Sequence, residues 1–165
     1  MRRHEEGQVL PALLVLFLAL LAMGTVLFQL GTASTMRAQA QTAADAAALA
    51  GAREIERQLV SALGALGPVP QEAIGPDLVT RVLDGLSLSQ PMEAAERDYA
   101  GRNGAHLVAA DRPGALEAQV DVETETEKTR ALGRARVLVT VTAPSSSPVD
   151  PLDCIRFDVR LASGA

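Results

Sequence analysis

A chain of 165 residues with a formal net charge of −5 lacks the basic surplus that a phosphate backbone attracts, which argues against a nucleic-acid partner. Its single cysteine excludes an intrachain disulfide. With no Trp, one Tyr and three Phe, its core must be built from Ala, Val and Leu, which suits a protein steadied by neighbours better than a self-sufficient enzyme.

Residues 1–8, MRRHEEGQ, form a short charged lead. From Val9 to Leu30 no charge occurs, and Thr25 and Gln29 are the only polar side chains. As a helix this run would extend roughly 33 Å, about the thickness of a bilayer's hydrocarbon core. A water-soluble helix carries a polar stripe, and this one has none. It reads as a membrane anchor, with Val9, Leu13, Leu16, Leu20, Met23, Leu27 and Leu30 meeting lipid. Pro11 falls in the first turn, where a missing N–H costs nothing. A cleaved secretory signal would have a shorter apolar core and a small-residue cleavage site. The Arg2-Arg3 pair lacks the surroundings of a twin-arginine signal. Arginine count orients an anchor more than acidic residues do. Arg2 and Arg3 on one flank against Arg37 on the other predict a cytoplasmic N-terminus and an extracytoplasmic remainder.

Nothing stops the helix at Leu30. The alanine-rich tract from Ala33 to Ala52 is strongly helix-forming. Beyond it Leu49, Ala52, Ile55, Leu59, Ala62, Leu63 and Leu66 fall on one side, and Glu54, Arg57, Gln58 and Ser61 on the other. Gly64, Gly67, Pro68 and Pro70 end the run. One helix from about Val9 to about Leu66 is therefore expected, divided into an anchor over 9–30 and an extracytoplasmic continuation over 31–67.

Residues 68–165 read as a small α+β domain. After the breaker-rich 67–76, a short helix is expected over Asp77–Leu86. A third helix is expected over Pro91–Gly101, capped by Ser89, with Met92, Ala95 and Tyr99 inward. The period then falls to two. Ala105–Ala109, Leu116–Thr126, Arg134–Ala143 and Cys154–Leu161 read as strands, with Glu127–Gly133 and Pro144–Pro151 as loops. The acidic row of the second strand would face the arginines of the third. The expected architecture is α+β and pilin-like: a long N-terminal helix, transmembrane and then amphipathic, packed with two short helices on a small antiparallel sheet.

The run Gln39-Ala40-Gln41-Thr42-Ala43-Ala44-Asp45-Ala46-Ala47-Ala48-Leu49-Ala50-Gly51-Ala52, placed just beyond an anchor that a charged lead and a glycine precede, resembles the N-terminal signature of the TadE/TadG-like proteins of tight-adherence (Flp) pilus assembly. Gln41, Ala44, Asp45, Ala47, Leu49, Ala50 and Gly51 match that signature, and Ala94–Gly104 looks like the family's outer region. The resemblance implies a minor pilin-like or assembly component of a pilus and secretion machine in the bacterial cytoplasmic membrane. Its partners would be the lipid bilayer and other pilin-like or Tad assembly proteins, met through helix–helix and subunit contacts. The prepilin signature of this class places a glycine at the cleavage point and a glutamate five residues later. With Gly7–Gln8 as that point, Ala12 stands where the glutamate belongs, and Pro11 precedes it.

No phosphate loop, serine elbow or Cys/His cluster is present, so no catalytic residue, cofactor, metal or small-molecule substrate is expected. Asp121, Glu123, Glu125 and Glu127 form a strand row facing one way, unlike converging calcium ligands. Cys154 reads as a small apolar residue at a strand start. Asp45, the one charge between Arg37 and Arg53, either meets a partner's cation or solvates an alanine helix. The alanine surface around it lets helices approach closely. The alternative is a single-pass, envelope-anchored binding domain unrelated to any pilus.

Overall fold

The computed structural model describes residues 9–114, 116–124, 129–142 and 147–162. The lead with Gly7 and Gln8, and the acidic Glu125 and Glu127, lie outside these residues. The first helix, α1, runs Val9–Leu66 without interruption, and the chain divides into two compact units between Met36 and Arg37.

In the first unit α1 stands alone. Its large apolar side chains are exposed, from Leu21 at 51% to Phe28 at 77%. A side chain added at Gly24 or Gly31 would meet nothing within 4 Å. The helix is long and apolar enough to cross a membrane. Its threonine hydroxyls are satisfied internally: Thr25 Oγ1 donates to Ala22 O at 2.7 Å, and Thr32 and Thr35 donate to Phe28 O and Gly31 O, each at 2.9 Å. Such back-bonding leaves few polar groups demanding water, which a hydrocarbon surrounding requires.

The second unit is an α+β domain. α1 ends where the sequence places its breakers, at Leu66, with Gly67 in a left-handed conformation. A 3-10 turn at Gln71–Ala73 leads to α2 (Pro76–Gly85) and α3 (Ser89–Arg102). Four strands follow: β1 (Ala105–Gly114), β2 (Glu117–Thr124), β3 (Arg130–Val141) and β4 (Ile155–Leu161). A four-residue helix, α4 (Pro151–Cys154), precedes β4. The strands form an antiparallel meander in the order β1-β2-β3-β4.

One sheet face supplies Ala105, Ala118, Val120, Val122, Ala135, Val137 and Ile155 to a core that Ala43, Ala44, Ala47, Ala48, Ile55, Leu59 and Leu63 of α1 join. The opposite face carries charged side chains beside the exposed Leu132 and Leu138. There Glu117 meets Arg136 at 3.3 Å and Arg134 at 3.5 Å, and Arg134 donates to Gln119 at 2.7 Å, the cross-strand pairing expected from the alternating sequence.

Several boundaries differ from the sequence expectation. β1 extends to Gly114, and β3 starts at Arg130, absorbing residues assigned to a loop. Leu88 takes the cap position of α3 without a side-chain bond, and Ser89 begins the helix. α3 turns Met92, Glu96 and Ala100 inward, while Tyr99 is 39% exposed beneath the Arg102 guanidinium. Leu66, placed on the apolar stripe, is exposed. Cys154 is buried at the end of α4 rather than in a strand, because Asp150 caps a helical turn by accepting from Leu152 N.

Candidate functional site

The signature run of α1 lies in the second unit, and its residues divide by turn. Gln41 is exposed at the first turn. Its Nε2 donates to Asp45 Oδ1 at 2.8 Å and to the backbone carbonyl of Leu132 at 3.0 Å. That carbonyl belongs to the part of β3 that runs beyond its pairing with β4, which covers β3 only from Ala135. The amide thus caps an otherwise open strand edge, and Asp45 orients the amide. Asp45 is half-buried and occupied within its own chain.

Directly beneath, β3 meets the helix backbone. A β-carbon at Gly133 would stand 2.3 Å from both the carbonyl carbon and the oxygen of Ala44, and 2.6 Å from Asp45 N. Only a residue without a side chain allows this approach. Ala44 and Ala47 are fully covered and Ala50 nearly so, while Leu49 is half-buried. The surface on which the sequence reading placed companion helices is therefore occupied by this chain's own domain at Ala44 and Ala47. Small side chains still secure close approach there, but of a sheet to a helix.

At the C-terminal end of the run Gly51 faces α3. A β-carbon at position 51 would stand 2.1 Å from Glu96 Oε1. Glu96 is 0% exposed, and neither carboxylate oxygen has a hydrogen-bond partner among the described residues. Burial, aided by the charge of Glu93, pushes its carboxyl up to about 8. The sequence reading passed over Glu96, since a charged residue at a helical position reads as solvated. The one available signal was Gly51, a glycine inside a helix with no evident purpose.

Glu54 binds Arg57 at 2.6 Å and accepts from Gln58 at 2.9 Å, and the Arg57 hydrogen bond holds its carboxyl below the usual range. Among the described residues no group of three or more His, Cys, Asp or Glu side chains converges as metal ligands. What the arrangement does is mechanical: Gln41, Ala44, Asp45 and Gly51 fasten one stretch of α1 to β3 on one side and to α3 on another.

Searches of curated proteins and of solved structures each return no match. Residues 7–54 match the family model described as "Putative Flp pilus-assembly TadE/G-like". That range opens ahead of the apolar run and closes just past Gly51, so the similarity covers the apolar run and the helix turns that contact β3 and α3.

Proposed function

We propose that this protein is a membrane-anchored, pilin-like minor component of a Flp (tight-adherence) pilus assembly and secretion apparatus. One observation carries the reading: the family match covers a helix whose N-terminal part is apolar and exposed on every side, contiguous with turns that hold a folded domain. Residues 9–30 anchor the subunit in the bacterial cytoplasmic membrane. The arginines at 2 and 3 keep the N-terminus cytoplasmic and the domain outside. Since Ala44 and Ala47 are covered within the chain, contacts with other assembly proteins fall to the exposed apolar turns of α1 and to the domain surface. The role is to hold and present a domain, and it requires no bound cofactor.

The test is deletion of the gene followed by counting surface pili, with complementation by the full chain. Loss of pili, restored on complementation, is the expected result. An unchanged count with altered surface adhesion would overturn the reading in favour of a stand-alone envelope binder. Mass spectrometry of the mature N-terminus, combined with fractionation, tests the anchor. A chain beginning at Met1 or Gln8 in the membrane fraction is expected, and a chain starting after Leu30 would contradict a retained anchor.

A further inference from the structure

The two edges of the sheet are treated differently. β1 carries two irregularities, between Leu107 and Ala109 and between Asp111 and Gly114, ends in Pro113-Gly114, and lies against α3. Bulges, proline and a covering helix are the usual means of blunting an edge against further strand pairing. The overhang of β3 is closed by Gln41. Among the described residues β4 has none of these devices, and its charges, Arg156, Asp158 and Arg160, lie on the outward face. It is seven residues, IRFDVRL, with no proline, glycine or bulge and no charge on its inward face.

The pairing of β4 fixes which of its backbone groups are free. Thr142 N donates to Cys154 O, and Ala162 N to Arg134 O, so the even-numbered residues of β4 bond to β3. The odd-numbered residues direct N–H and C=O to the open side. Ile155 N–H is taken by Pro151 O. The groups of Phe157 and Val159 have no partner among the described residues.

Self-pairing of this edge has few registers. Antiparallel alignment must place odd residues opposite odd residues, so that their free groups bond, which leaves even residues as the closely spaced, non-bonded pairs. Centring on Asp158 would oppose Asp158 to itself and Arg156 to Arg160. Centring on Arg156 would oppose two arginines. Centring on Phe157 places Arg156 opposite Asp158 twice, with Phe157 against Phe157 and Ile155 against Val159 on the core side. Centring on Val159 also pairs charges, Asp158 with Arg160, but those two already form an ion pair within one strand. Arg156, exposed and without a partner among the described residues, gains one only in the Phe157-centred register.

We propose that β4 is a dimerisation edge: two copies of this chain join β4 to β4 antiparallel about Phe157, with Arg156 of each meeting Asp158 of the other. The sheet becomes eight-stranded, and the open edge disappears. This rests on β4 alone and stands or falls independently of any pilus role.

The test uses the full chain in native membranes or detergent, in a Cys154→Ser background. Membranes carrying Arg156→Cys and Asp158→Cys chains together should give a disulfide-linked dimer under mild oxidation. The Asp158→Cys with Arg160→Cys mixture should give much less. Equal linking in the two mixtures, or none in the first, overturns the proposal. Charge reversal supplies a second reading. Arg156→Asp should weaken the dimer at least about tenfold by setting like charges opposite twice, and Arg156→Asp with Asp158→Arg should recover it. A loss that the double reversal leaves unrepaired, with unchanged thermal unfolding, also overturns it, as does capture of β4 solely by a different protein.

Discussion

α1 is a single helix with two contrasting parts. Before Met36 its large apolar side chains are exposed, and its glycines touch nothing. After Arg37 one face is covered, small at Ala43, Ala44, Ala47 and Ala48 and larger at Ile55, Leu59 and Leu63, and two glycines permit close contact there: Gly51 under Glu96, and Gly133 of β3 against Ala44. The first part presents bulk to a solvent that takes any shape, and the second offers smoothness to a sheet that fits only one. The lesson is local to the signature turns: alanine and leucine are both apolar, but only side chains as small as those of Ala44 and Ala47 let β3 lie this close to the helix.

The contrast can be broken most severely in the apolar run, the proposed anchor. Leu16→Arg combined with Leu20→Arg should cost about 5–7 kcal/mol of insertion and remove the chain from the membrane fraction, while thermal unfolding of the domain stays unchanged. Next in size, Gly133→Val should destabilise the domain by about 3 kcal/mol or more, because strand and helix backbones must separate. Calorimetry would register it, and fractionation would not. Ala44→Leu should act in the same way.

The pH dependence sharpens the comparison from the other direction. Glu96, ordinarily near 4.5 and raised to about 8 in the fold, keeps its proton when the unfolded chain has lost its own. The sign follows: the contribution of this group to stability is fully present below about 4.5, falls as pH rises, and is gone above about 8. Glu96→Met should gain about 1–4 kcal/mol at pH 8 and little at pH 4, flattening the profile measured by urea unfolding. Gln41→Ala should cost about 1 kcal/mol by uncapping Leu132. Smallest of all, Gly24→Ala or Gly31→Ala should leave domain stability within about 0.5 kcal/mol of the parent, since both face open space.

Much of the architecture could be read from periodicity. The helix limits followed from an uncharged run at one end and Gly67-Pro68 at the other, and the sheet from alternating Val and Ala against Glu and Arg. What escaped was the contact geometry. Gly133 read as a turn residue because glycine weakens a strand, whereas here it makes room for a helix that pattern analysis cannot bring near. Glu96 is hidden for the opposite reason: helical pattern places charges outside, which points Tyr99 inward, whereas the fold buries the Glu96–Ala100 face. The motif itself was legible as a string, but its purpose required knowing that β3 and α3 lie on either side of it.

The bond between Gln41 and Leu132 joins positions 91 apart in the chain. At roughly 5–20 residues per second, a ribosome needs about 5–20 s to reach β3 after completing the alanine-rich turns. For that interval the smooth stretch has no sheet to lie on, and its apolar alanine face is uncovered. The timetable of synthesis, as much as the finished contact, decides what this helix touches first.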